Sequence, residues 1–77
     1  MISERIKAVM TSVFDTPIAD ISEESTQNTI EGWTSLNHIN LVLALEEEFE
    51  LSFADEEIPL MTSFEYIVTL LRQQLKG

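Results

Sequence analysis

Cysteine is absent from the 77 residues, so no disulfide braces the chain and it has no thiol of its own for redox or nucleophilic chemistry. Cations are scarce as well: Lys and Arg number 4 against 14 Asp and Glu, a formal charge of −10. Arg5, Lys7, Arg72 and Lys76 all lie near the ends, and the span 15–57 holds 12 acids and neither Lys nor Arg. Such a surface repels phosphate, which argues against nucleic acid and anionic membranes as partners and suits basic protein surfaces. No apolar run has the length of a bilayer span or of a secretory signal, so membrane insertion is not expected and the cytoplasm is the expected location. Seventy-seven residues make one domain with a core near the lower limit for independent folding. There is no internal repeat or low-complexity tract.

The strongest feature is the stretch 32–49, Gly-Trp-Thr-Ser-Leu-Asn-His-Ile-Asn-Leu-Val-Leu-Ala-Leu-Glu-Glu-Glu-Phe. Thr34 or Ser35 can supply the side-chain oxygen that caps a helix N-terminus, and a strong helix follows. At 100° per residue, Leu41, Val42, Leu45 and Phe49 share one face with Ile39 at its margin, a stripe wide enough to be a core face. Leu36, Asn40, Leu43 and Glu47 gather on the opposite side. One or two exposed leucines are ordinary, but two leucines and a glutamate in one strip, downstream of a serine, also fit a docking face.

Elsewhere the chain reads as helices separated by one long loop. Ser3 can cap a first helix carrying Ile6, Val9, Met10, Val13 and Phe14, which should stop near Asp15 because Pro17 disfavours helical geometry at Thr16. The following 18 residues would be unusual as a structureless loop, and Ile18, Ile21, Ile30 and Trp33 are expected to pin it against the bundle, with Gly32 allowing a tight approach into the next helix. After Phe49, Leu51 and Phe53 belong to a packed turn. Residues 55–60 suggest a short third helix, its apolar contacts made by Ile58 and Leu60 and its length limited by Pro59. Thr62 and Glu65 fit a capping box. Phe64, Ile67, Val68, Leu71 and Leu75 mark a last amphipathic helix, with Arg72 and Lys76 toward its negative end. The expected architecture is a small all-α four-helix bundle, three helices longer and one short, with a long first loop.

Ser35-Leu36, following Gly32-Trp33 and leading into Leu-Val-Leu-Ala-Leu-Glu-Glu-Glu-Phe over 41–49, resembles the acyl carrier protein family at its prosthetic-group site. The likeness extends over nearly the whole chain in length, acidity, long first loop and terminal helix, and is most specific around Ser35. It implies an acyl-carrier-like fold with 4′-phosphopantetheine attached from coenzyme A to Ser35, where the free N–H groups and dipole of a helix N-terminus favour a phosphodiester. It further implies a monomeric carrier, not an enzyme, that holds acyl groups as thioesters. Its partners would be a phosphopantetheinyl transferase and acyl-loading, acyl-transfer or synthase enzymes with basic docking patches, from fatty-acid, polyketide or related biosynthesis. Leu36, Asn40, Leu43, Glu46 and Glu47 occupy the partner-facing positions. Where the family usually has Asp-Ser-Leu this chain has Thr34-Ser35-Leu36: threonine can still cap, but the carboxylate beside the serine is missing. Asn37 and Asn40 stand where many fatty-acid carriers have acids, which favours a specialised carrier.

His38, three residues after Ser35, invites a serine-nucleophile enzyme, yet the wheel turns it toward the core and residues 32–36 lack the second glycine of a nucleophile elbow; a partly buried, hydrogen-bonded histidine is expected instead. A carrier-like module that is never modified and only binds partners remains open because of Thr34. The acid runs 46–48 and 55–57 lack the alternating ligands and glycine turn of a calcium loop, so diffuse counterion binding rather than a metal site is expected.

Overall fold

The computed structural model describes residues 2–76, and these contain three α-helices: α1 (Ile2–Phe14), α2 (Ser35–Phe49) and α3 (Phe64–Lys76). The backbone is all-α, with no strand among the described residues beyond an isolated antiparallel bridge between Thr26 and Ser63. The expected short third helix is a turn at 55–57 followed by a 3-10 turn, Ile58–Leu60. Its bonds run from Leu60 N–H to Glu57 O and from Met61 N–H to Ile58 O, and Pro59, with no N–H, cannot extend them into a longer helix. Ile58 packs against the core as expected, whereas Leu60 is exposed.

Each helix contributes a stripe set by its periodicity. Ile6, Met10 and Phe14 come from α1, Leu41, Val42, Leu45 and Phe49 from α2, and Phe64, Ile67, Val68, Leu70 and Leu71 from α3; Met61 and Phe53 close the gaps. Ser3 lies inside α1 rather than capping it. At α3 the cap is Ser63, whose Oγ accepts from Tyr66 N–H, so the frame is shifted by one residue from Thr62 and Glu65 does not serve as the reaching partner at the third helical position. Leu75, expected on the inner stripe, is about half exposed. The expectation for the Lys76 side chain lies outside the described residues.

Both α1 and α2 end on an acidic residue in the left-handed region, Asp15 at φ 52° and Glu50 at φ 54°. Thr16 N–H then reaches Thr11 O, and Leu51 N–H reaches Glu46 O, the six-to-one closure that satisfies the last carbonyls of a helix. Glu46 adds its carboxylate to the second of these ends, accepting from Phe53 N–H at 2.9 Å.

The long first loop is ordered by its own bonds. Ser25 Oγ accepts from Ser22 N–H, Thr29 Oγ1 accepts from Thr26 N–H, and the loop is tied to the entry of α3 by Gln27 N–H to Thr62 O and Phe64 N–H to Ser25 O, both 2.9 Å. Ile21, Ile30 and Trp33 are buried as pins, while Ile18, in a 3-10 turn (Ile18–Asp20), is half exposed and pins nothing into the core.

Gly32 brings the end of this loop against the end of α1. A Cβ at Gly32 would collide with the carbonyl oxygen of Phe14 and lie 3.1 Å from its Cβ. Backbone occupies that space, so the strain cannot be relieved by turning a side chain. Gly32→Ala is therefore expected to destabilise the domain by about 1–3 kcal/mol, as overpacking does. The check is thermal unfolding, where each kcal/mol lowers the Tm of a domain this size by about 4–8 °C.

Candidate functional site

Residues 32–38 are held in place by a short column of rings. Phe14, the last residue of α1, stacks on Trp33 with centroids 5.0 Å apart and planes at 26°, and Trp33 stacks on His38 at 6.2 Å and 21°. Trp33 Nε1–H donates to His38 Nδ1 at 3.0 Å. On its other side His38 Nε2 lies 2.8 Å from Ile58 O. His38 is 8% exposed, so it is the buried, hydrogen-bonded histidine expected from its position on the wheel.

Above this column α2 begins. Thr34 is extended and serves as cap: its Oγ1 accepts from Asn37 N–H at 3.1 Å and its carbonyl accepts from His38 N–H. The first helical residue is thus Ser35, which is exposed. Its own N–H and that of Leu36 belong to the first turn, where no helical carbonyl precedes them. Asn37 does more than its place in the sequence suggested: Nδ2 donates to Gly32 O at 2.9 Å and Oδ1 accepts from Asn40 Nδ2 at 3.1 Å. The signal available for this was the asparagine itself, three residues past a threonine cap, where a side-chain amide can fold back onto the entering chain.

The exposed strip of α2 is as the wheel placed it. Leu36 is 73% exposed and Leu43 59%, with Asn40 and Glu47 also exposed. Ile39, assigned to the margin of the core stripe, is half exposed beside them. The three successive acids separate by role: Glu46 is half-buried on Phe53 N–H, Glu48 pairs with Arg5 Nε at 3.1 Å, and Glu47 makes no such contact with a cation or backbone N–H among the described residues. Arg5 also donates to Glu48 O and lies over the Phe49 ring at 4.4 Å, which ties α1 to the far end of α2. Of the acids expected to face a partner, Glu47 is the one left on the strip.

Beside Ser35 runs a groove of 380 Å³ lined by Gln27, Ser35, His38, Ile39, Ile58, Pro59 and Thr62. Its walls come from three separate stretches: the long loop, the first turn of α2 and the 3-10 turn before α3. Nothing in it is arranged as a nucleophile and base, since both ring nitrogens of His38 are engaged by Trp33 and Ile58 rather than by Ser35. Among the described residues no group of three or more His, Cys, Asp or Glu is gathered as metal ligands would be, and no helix is long and apolar enough to cross a membrane. No protein-family model matches the sequence.

Because Thr34 is the cap and Ser35 only follows it, the two hydroxyls differ in what they hold. Thr34→Ala is expected to lower stability by about 1 kcal/mol, the usual cost of losing a cap oxygen. Ser35→Ala is expected to change it by less than about 0.5 kcal/mol. Urea unfolding of the two variants side by side checks this, and equal losses would mean that Ser35 shares the capping.

Proposed function

We propose that the chain is an acyl carrier domain modified by 4′-phosphopantetheine on Ser35, as the resemblance of residues 32–49 to the acyl carrier proteins implies. The observation that carries the proposal is the division of labour at the start of α2. Thr34 caps the helix, so Ser35 stands exposed at the first helical position, with Leu36 beside it and Leu43 farther along the same strip, both pointing to solvent. A serine needed for the cap would be a poor place to attach anything.

The surroundings fit the group. The N–H groups of Ser35 and Leu36 and the positive end of the α2 dipole favour a phosphodiester at this point. The adjoining groove offers Gln27 and Thr62 as polar lining and Ile39, Ile58 and Pro59 as apolar lining, a mixture that suits an arm built of amides and short aliphatic links. When bound, 4′-phosphopantetheine would supply the thiol that a chain without cysteine lacks. For its attachment the Ser35 hydroxyl bonds to phosphorus of coenzyme A and gives up its proton to a base of the transferase. The phosphoanhydride bond breaks and adenosine 3′,5′-bisphosphate leaves.

Recognition would fall to the strip Leu36, Asn40, Leu43 and Glu47, with Glu46 contributing through the turn it holds. Exposed ion pairs are worth only about 0.2–1 kcal/mol each, so a partner with a basic rim would be steered to the domain and released again, as a carrier visiting acyl-loading, acyl-transfer or synthase enzymes requires. The second reading, an interaction module that is never modified, draws on Thr34 standing where the family has aspartate.

Intact mass decides between them. After incubation with coenzyme A, magnesium and a broad-specificity phosphopantetheinyl transferase, the protein is expected to gain one phosphopantetheine group and Ser35→Ala none. No gain on folded protein would defeat the carrier reading and favour the module, unless Thr34→Asp restores it. Separately, Leu43→Asp is expected to leave the unfolding midpoint within about 0.5 kcal/mol of the parent while weakening transferase binding about tenfold, or about 1.4 kcal/mol; calorimetric titration reads the second quantity, and unfolding by this change would return Leu43 to the core.

A further inference from the structure

The imidazole of His38 joins the entry of α2, next to Ser35, to the 3-10 turn across the groove from it. Indole N–H can only donate, so His38 Nδ1 is the acceptor of the 3.0 Å bond from Trp33. The ring proton then belongs to Nε2, which donates to Ile58 O at 2.8 Å. The same carbonyl accepts from Met61 N–H, the bond that closes the 3-10 turn. One buried ring thereby reads the position of residue 33, two before the serine, and of residue 58, across the groove from it. A side chain that merely filled the core here would have no use for two polar atoms, each costly to bury unpaired.

We infer that His38 is the positioning residue of the Ser35 site: through its Nδ1 acceptor and Nε2–H donor it sets the entry of α2 and the 3-10 turn at a fixed separation, and so presents Ser35 and its groove in one geometry to the modifying enzyme. The inference rests on the carrier reading for its functional consequence. Leucine at 38 preserves apolar bulk and removes both bonds. Glutamine keeps one acceptor and one donor on a neutral side chain.

The test compares wild type, His38→Gln and His38→Leu at a temperature where circular dichroism shows all three fully folded. The transferase and coenzyme A modify Ser35, and kcat/KM is read from intact mass. His38→Leu is expected to fall about tenfold and His38→Gln to stay within about threefold of wild type. In parallel, the Trp33 Nε1–H resonance should move in His38→Leu, and amide hydrogen exchange should quicken at the bonded amides of the α2 entry, Trp33, Asn37 and His38, and at Leu60–Met61. Equal rates for wild type and His38→Leu, or a Gln variant as slow as the Leu variant, would overturn the inference. Should the wild type stay unmodified and Thr34→Asp not restore modification, the carrier reading fails and hydrogen exchange decides the positioning role alone: faster exchange at both stretches in His38→Leu upholds it, and unchanged exchange at either one overturns it.

Discussion

The structure around Ser35 depends on one buried hydrogen bond, Trp33 Nε1–H to His38 Nδ1, and on the ring column in which it lies. Phe14 carries the position of α1 to Trp33, Trp33 passes it to α2 through His38, and His38 passes it to the turn at Ile58. In a domain of this size, whose core is near the lower limit for stability, such a column gives the start of α2 three attachments that apolar packing alone would leave adjustable. Apolar contact is indifferent to small rotations, whereas a donor and an acceptor aligned on a ring are not.

Gly32 is the counterpart of that column on the backbone side. The chain can stack Trp33 on Phe14 only if residue 32 passes close to the Phe14 carbonyl, and a side chain there would keep the loop away. Asn37 then locks the same residue from the helix by donating to Gly32 O. The glycine, the ring column and the asparagine converge on residues 32–38, and each removes one freedom from the backbone that carries Ser35. On the proposed function this rigidity is useful, because a carrier offers its partners position and recognition and no bond-breaking group of its own.

Charge is distributed to match. Between Gly32 and Leu45 there is no acid and no Lys or Arg, so the exposed part of α2 next to Ser35 is apolar and amide-rich within a protein of net charge −10. The acids that follow are partly committed to the fold, Glu46 to the turn after α2 and Glu48 to Arg5. A run of three glutamates is thus one residue of open charge and two structural residues, a distinction that neither net charge nor spacing contains.

Periodicity by itself determined the three long helices, the inner stripe of α2 and the exposure of Leu36 and Leu43, because a residue's angle about a helix axis follows from its number alone. The break at Asp15 was legible through Pro17, and the inward position of His38 through its place on the wheel. Tertiary structure decided what spacing leaves undetermined. Ser63 rather than Thr62 caps α3 because the bridge between Thr26 and Ser63 fixes where the chain turns. Residues 55–60 stop at a 3-10 turn, Pro59 having no N–H to extend it, and Ile58 O there accepts from His38 as well as from Met61 N–H. Ile18 stays at the surface although it is as apolar as Ile21, since only the latter meets the core when the loop is stitched down. Local sequence states which way a helix faces; which donor meets which acceptor across 20 or 40 residues is known only once the chain has closed on itself.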